Sequence, residues 1–235
     1  MPFKPTNNSE QRFDVEEART LLERGTRALG LELTAVQVEQ FLTYLDLLLK
    51  WNRRINLTAL RTPAEIISRH FLESLLLLPH LPETGRLLDI GSGAGVPGLP
   101  LKIARPTLSL DLAEATAKKT SFLKEALRRL GLSGVHVFAV FLGKEPFPVE
   151  PNDPWDAFLC RGVNLAGVLR AVAPYWGTGR RLLLLKGPDW PDEALGLATF
   201  LEQQQVKVEQ VIPLINPSSE KKMDLVILRK TGPAP

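Results

Sequence analysis

Between residues 14 and 80 the apolar side chains recur at helical spacing, and no segment alternates as a half-buried strand would. EEARTLLERGTRALGL predicts a helix that closes at Gly30. Thr34 opens a second, with Gln37 placed three residues on to complete a capping box. Its Val38, Phe41, Leu42, Leu45, Leu48 and Leu49 share one face. A third start is written in Thr62-Pro63-Ala64-Glu65, an N-cap, a proline for the first turn and an acid to close the box. It predicts a helix running to Pro79. After Pro82 the rhythm changes. RLLDIG, LSLDLA, VHVFAVF and WDAFLC are short apolar runs separated by helical segments at 98–105, 116–131 and 164–175. Strands alternating with helices predict right-handed βαβ units and a parallel sheet. RLLLLKG, a helix near 191–204, and then VKVEQVIPLI and MDLVILRK across a short polar loop predict an antiparallel hairpin on the sheet's edge. The expected architecture is a helical N-terminal extension, 1–82, followed by a doubly wound α/β domain, 83–235.

Composition narrows this little. A net charge of +3 and a pI near 9.1 permit a nucleic-acid partner without demanding one. The one cysteine, Cys160, ends the apolar run WDAFLC and reads as a buried, inert thiol, which fits a reducing compartment. Nothing approaches the ~18 apolar residues of a membrane span, and the polar start MPFKPTNNSEQRFD lacks a signal core, so the expected location is cytoplasmic. His70, His80 and His136 show no metal-ligand spacing, and no G-x-S-x-G elbow appears. No metal is expected.

The chemistry concentrates at LLDIGSGAGVPG, residues 87–98. Gly91, Gly93, Gly95 and Gly98 let the backbone turn tightly and approach a ligand, and the following helix start offers free N–H groups. Gly93–Gly98 satisfies G-x-G-x-x-G, which taken alone allows a dinucleotide. Asp89 within the segment would repel phosphates but suits an ammonium. Glu114 after the second strand can accept from ribose hydroxyls, in a dinucleotide or in S-adenosylmethionine. The terminal hairpin and the lack of a second substrate-sized domain favour S-adenosylmethionine. Asp89, Gly91, Ser92, Gly93, Gly95 and Glu114 are therefore the cofactor candidates. Arg53, Arg54, Arg61, Lys118 and Lys119, with Arg180 and Arg181 beside them, are the candidates for a nucleic-acid partner, because basic residues on the open side supply the sequence-independent phosphate attraction. Trp51 suits either a core position or a base-stacking one.

WNRRINLTALR (51–61), RHFLESLLLLPHL (69–81), LLDIGSGAGVPGLPLKIARP (87–106) and KKTSFLKEALRRLGL (118–132) resemble the bacterial glucose-inhibited division protein B family, with the motif order preserved from about residue 20 to 230. The resemblance implies a class I Rossmann-like methyltransferase with a helical N-terminal extension, acting with S-adenosylmethionine on a guanine N7 of 16S ribosomal RNA. It also implies a cytoplasmic monomer whose partner is that RNA or the small ribosomal subunit, with no membrane. By position it assigns cofactor contacts to Gly91, Val96, Leu142, Gly143 and Arg161, and sets Arg161 and Lys186 at the target edge. N7 carries a free lone pair and no proton, so no general base, and no catalytic residue in that sense, is expected. The chain departs from the family at Phe141-Leu142-Gly143-Lys144 and at Met223-Asp224. Those departures keep open a weakly catalytic, cofactor-binding RNA or ribosome module. The literal glycine motif keeps open an NAD-dependent oxidoreductase.

Overall fold

The computed structural model describes residues 13–141, 147, 149 and 155–232. Helix α1 (Val15–Ala28) starts at Asp14, whose carboxylate accepts the N–H groups of Glu16 and Glu17. Past its end Gly30 takes φ +71°, a left-handed stop that glycine adopts without strain. Helix α2 (Ala35–Asn52) has the expected box: Gln37 N–H donates to Thr34 Oγ1 at 3.3 Å, and Thr34 N–H returns to Gln37 Oε1 at 2.8 Å. Thr62 and Glu65 repeat it for α3 (Pro63–Ile66).

The third helix differs from the uninterrupted one expected to Pro79. After α3 it widens into a π-helical stretch, Ile67–Leu72, before a last α-helical turn, α4 (Glu73–Leu75). In the wide turn the Ser68 carbonyl accepts from Glu73 N–H, five residues on, and also from Asn216 Nδ2 at 2.9 Å. A donor from outside the helix is thus inserted where the ladder opens, a common accompaniment of such bulges.

Then come β1 (Gly85–Ile90), α5 (Gly98–Ala104), β2 (Leu108–Ala113), α6 (Ala117–Leu130), β3 (Val135–Phe138), β4 (Ala157–Arg161) and α7 (Leu165–Val172). The chain ends with β5 (Arg181–Lys186), α8 (Trp190–Leu195), α9 (Ala198–Gln203), β6 (Val206–Ile215) and β7 (Lys222–Lys230). Strand β3 stops at Phe138, short of the full VHVFAVF run. The helix expected near 191–204 is two short ones, because Gly196 caps the first.

The sheet has the order β3-β2-β1-β4-β5-β7-β6, with five parallel strands and then an antiparallel hairpin at the edge, as the pattern predicts. Alternate residues serve opposite faces. Leu87, Leu110, Leu159 and Leu183 pack with α1, α2, α5 and α6. Leu88, Phe158, Cys160, Leu182 and Leu184 pack with α7 and with Trp155 and Trp176. The N-terminal helices have no core apart from the sheet: one apolar cluster runs from Ala18 through Phe71 to Ile227. Among the described residues no helix is long and apolar enough to cross a membrane.

Candidate functional site

In a parallel sheet the open crevice lies at the C-terminal ends of the strands, and here the glycine turn, Glu114, Arg161 and Lys186 all leave from those ends. The turn is held from three sides. From β2, the Ala113 carbonyl accepts from both Gly91 N–H (2.9 Å) and Ser92 N–H (3.0 Å). From within, Ser92 Oγ donates to the Asp89 carbonyl at 2.9 Å. From α2, the fully buried Tyr44 hydroxyl donates to the Ala94 carbonyl. Tyr44→Phe leaves that buried carbonyl without a donor, and urea denaturation should show a loss of about 1–3 kcal/mol.

The glycines divide by what surrounds them. Gly91, Gly93 and Gly95 have φ of +70°, +55° and +86°, a region L side chains rarely adopt. A Cβ on Gly95 would lie 2.5 Å from Leu99 Cδ1 and 2.8 Å from the Tyr44 hydroxyl, so Gly95 faces the core rather than a ligand. Gly98 is packed likewise, with Asp89 Oδ2 and two β2 leucines against it. Gly93 opens onto space, its nearest neighbour among the described residues being the Gly91 carbonyl oxygen at 3.7 Å. Val96 is half-buried against the helical core.

Asp89 is completely buried. Its Oδ2 accepts from Gly98 N–H at 2.9 Å, and its Oδ1 has no partner among the described residues. Burial above all, with the Glu114 charge adding to it, raises its pKa to about 7 against the pull of Gly98 N–H and Arg161. Glu114 is also buried. Its Oε2 accepts from Gly93 N–H (2.9 Å) and its Oε1 from Thr116 N–H (2.8 Å), so it braces the turn and retains lone pairs for a further donor.

Arg161 ends β4. Its Nη2 donates to Glu73 Oε2 from α4, while its Nη1 is buried and partnerless among the described residues. Glu73 is 2% exposed, and its Oε1 accepts from Asn216 Nδ2 at 3.3 Å. His70 in the π-helical stretch contacts Thr58 Oγ1 through Nε2 at 2.9 Å. Burial, then the Arg161 and Arg69 charges, lower its pKa to about 3, so it is neutral. Thr58 belongs to the loop after α2, which Asn52 folds by accepting from Thr58 N–H (3.0 Å) and donating to the Leu60 carbonyl (2.9 Å). The Asn52…Asn56-Leu57-Thr58 block is therefore architecture that backs the site. Cys160 is buried, and desolvation pushes its thiol up to about 12, inert at neutral pH.

The basic candidates scatter. Lys118 is exposed and Lys119 half-buried on the first turn of α6, directly after Glu114. Arg53 and Arg54 are exposed after α2 and, with Lys50, line a recess of about 200 Å³ beside Trp51. Trp51 is half-buried and meets Phe122 edge-on at 5.7 Å, a core contact. Arg61 is exposed, with Nη1 3.4 Å from the Asn52 carbonyl oxygen. Lys186 differs from the expected open cation: its Nζ is 2.6 Å from Glu193 Oε2, which neutralises it. Arg180 and Arg181 are corrected outright. The register Leu87–Ala157–Arg181 sets them at the opposite end of the strands, and Arg181 forks onto Glu209 at 2.8 and 2.7 Å. At the altered C-terminal pair, Met223 is buried and Asp224 Oδ2 accepts from Trp190 Nε1 at 3.0 Å. Leu142 and Gly143 lie outside the described residues.

Glu73, Asn216, Ser68 and Tyr44 are absent from the sequence-based candidates. Glu73 had a usable signal, an acid within the apolar run HFLESLLLL. Asn216 had none, since an asparagine before a proline in a hairpin loop is ordinary turn chemistry. Among the described residues no group of three or more His, Cys, Asp or Glu is placed to hold a metal. A groove of about 640 Å³ between α8–α9 and β6 contains none of the site residues above.

The sequence profile of rRNA small subunit methyltransferase G (GidB) matches residues 37–226. The chain is 39% identical over 210 residues to ribosomal RNA small subunit methyltransferase G of Desulfotalea psychrophila, covering 88% of this chain and 96% of that one. It is 36% identical over 220 residues to the protein of the same name from Pelotomaculum thermopropionicum, 91% of each chain. Among solved structures, the 4+2 cyclase SpnF superimposes with TM-score 0.56 at 15% identity, over 86% of this chain and 97% of that one. The B. subtilis M1A22 tRNA methyltransferase TrmK gives 0.51 at 16%, over 68% and 66%. At such identities the two structures speak for the Rossmann-like fold alone.

Proposed function

Since the chain belongs to the rRNA small subunit methyltransferase G family, we propose that it moves a methyl group from S-adenosylmethionine to N7 of a guanine in 16S ribosomal RNA. The observation that carries the cofactor assignment is a pair of buried atoms beside the glycine turn, Arg161 Nη1 and Asp89 Oδ1, that have no partner among the described residues. The two groups feel each other's charge. A cation and an anion together suit the zwitterionic end of an amino acid: Arg161 for the carboxylate and Asp89, directly or through a water, for the ammonium. A dinucleotide pyrophosphate would instead meet two buried carboxyl groups, Asp89 and Glu114. Glu114 would take the ribose hydroxyls, and Gly93 the close approach.

When bound, S-adenosylmethionine supplies an electrophilic methyl on sulfur. The protein's own residues need remove no proton, because N7 attacks with its in-plane lone pair. Their work is to hold two reactants in line and exclude water. Lys118, Lys119, Arg53, Arg54 and Arg61 would contribute phosphate attraction, which is salt-sensitive and blind to sequence. The proposed enzyme works in the cytoplasm, as a monomer, on free 16S RNA or on the small subunit.

Transfer of a labelled methyl tests this, with 16S RNA, small subunits and free nucleotides offered in turn. Label appearing as 7-methylguanosine is expected; cofactor binding without transfer would leave only a binding module, and binding of NAD instead would end the proposal. Gly93→Val should leave a folded chain, because its side chain points into open space, at a strain of about 1–2 kcal/mol for the left-handed backbone. Calorimetry with S-adenosylhomocysteine should show affinity down more than ~tenfold, and unchanged affinity would move the cofactor away from this turn.

A further inference from the structure

The tip of the β6–β7 hairpin stands at the ligand end of the sheet. Ile215 pairs with Lys222, and beyond the pairing of Lys186 with Asp224 the chain turns over through residues 216–221. Residues 217–222 are exposed, yet Asn216 at the base of this tip is 0% exposed. A buried asparagine must satisfy its amide on both sides, and every partner is on hand. Its Oδ1 accepts from Ser68 Oγ (3.2 Å) and from Ser218 N–H (2.9 Å). Its Nδ2 donates to the Ser68 carbonyl (2.9 Å) and to Glu73 Oε1 (3.3 Å). The other oxygen of Glu73 holds Arg161 Nη2. A hairpin, a π-helical turn and the end of β4 thus meet through two side chains.

We propose that Glu73 and Asn216 are positioning residues that aim the Arg161 guanidinium at the cofactor, making the β6–β7 tip part of the cofactor site. The geometry requires both. Glu73 presents two oxygens in one plane, and a carboxylate free to rotate would let the guanidinium swing with it. Asn216 fixes that rotation by taking Oε1, and Ser68 fixes Asn216. Among the described residues, Arg161 is left with Nη1 as its one buried nitrogen lacking a partner. The π-helical stretch serves this arrangement, since its wide turn lets the Ser68 carbonyl accept from Asn216 Nδ2 while it also accepts from Glu73 N–H.

The inference rests on the cofactor assignment above, and the test separates the two. The unaltered protein is first titrated with S-adenosylhomocysteine and assayed for methyl transfer. If it neither binds nor transfers, the cofactor assignment fails and takes this inference with it. Given binding, Asn216→Ala is expected to weaken S-adenosylhomocysteine about tenfold and to raise KM for S-adenosylmethionine alike, with KM for RNA unchanged, the scale of one hydrogen bond to a charged group. Glu202→Ala, exposed on α9 in the groove that contains none of the site residues, should match the unaltered protein in both. A merely structural asparagine would lower the melting temperature and leave cofactor affinity alone in the folded protein, and that result overturns the inference. If Asn216→Ala does not fold, Glu73→Asp carries the test. It keeps the charge, but its shorter side chain cannot span Arg161 and Asn216 together. The same selective loss of cofactor affinity is expected, and unchanged affinity overturns the inference.

Discussion

Arg161→Ala should unfold at a much lower urea concentration than the unaltered protein, with about 3–5 kcal/mol of stability lost. The cause is Glu73, which is 2% exposed. Removing the guanidinium leaves its carboxylate buried with Asn216 as its remaining side-chain donor among the described residues. A buried charge without its counter-ion costs far more than the intact pair contributes. The double substitution Arg161→Met with Glu73→Leu removes both charges and should recover most of the loss, because no unpaired charge remains. It should not recover S-adenosylhomocysteine binding. The two measurements together divide the pair's roles: stability returns with charge balance, whereas affinity needs the guanidinium. If Arg161→Ala melts like the unaltered protein, the Glu73 contact is not structural.

The second large effect is a dependence on pH carried by Asp89. Its carboxyl titrates near 7 in the folded chain and near 3.8 when unfolded. Between those values the folded state holds a proton that the unfolded state has released, so stability falls as pH rises. The fall is about 1.4 kcal/mol per pH unit, about 4 kcal/mol in all, and it is complete above pH 7. His70 works in the opposite sense. Its imidazole titrates near 3 when folded and near 6.5 when unfolded, so its contribution is present above 6.5 and is lost as pH falls. Across pH 4 to 6.5 the two slopes oppose each other, and the unaltered protein should look nearly flat on their account. Asp89→Asn removes one of them. The stability difference between Asp89→Asn and the unaltered protein, followed by urea denaturation from pH 4 to 8, should shift by about 4 kcal/mol in favour of Asn, whatever its constant offset. A difference independent of pH would mean that Asp89 is ionised in the folded protein throughout.

Much of the fold was legible because its signals are local. Capping boxes at Thr34 and Thr62 join residues three apart, and the short, nearly unbroken apolar runs of β1, β4 and β5 record burial on both faces of a parallel sheet. The misreadings have local causes too. The periodicity of 63–79 looks uniform because a π-helical turn shifts the ladder by a single residue, too little to disturb an apolar run this dense. Gly196 interrupts a helix whose amphipathic spacing continues past it.

The site was legible to the same depth. Asp89, Ser92, Gly93 and Glu114 form one constellation because they lie at the adjoining C-terminal ends of β1 and β2, and the parallel pairing of successive strands is what the alternating strand–helix pattern predicts. Burial could not be read in the same way. Gly93 and Gly95 look equivalent in GSGAGVPG, yet one opens onto space and the other packs under Tyr44, a residue of a distant helix. Arg181 and Lys186 look alike as bases flanking a strand, but register puts one at the far end and Glu193 neutralises the other.

The sequence by itself therefore determined the order of elements, the glycine turn and the family to which the chain belongs. These depend on periods, caps and motif spacing, each carried by neighbouring residues. Only the tertiary structure decided how Arg161 is held, because Glu73, Asn216 and Ser68 come from three separate stretches of chain. Their pairing exists only once the sheet, the π-helical turn and the hairpin have packed, and a hydrogen bond between residues far apart leaves no period in the sequence.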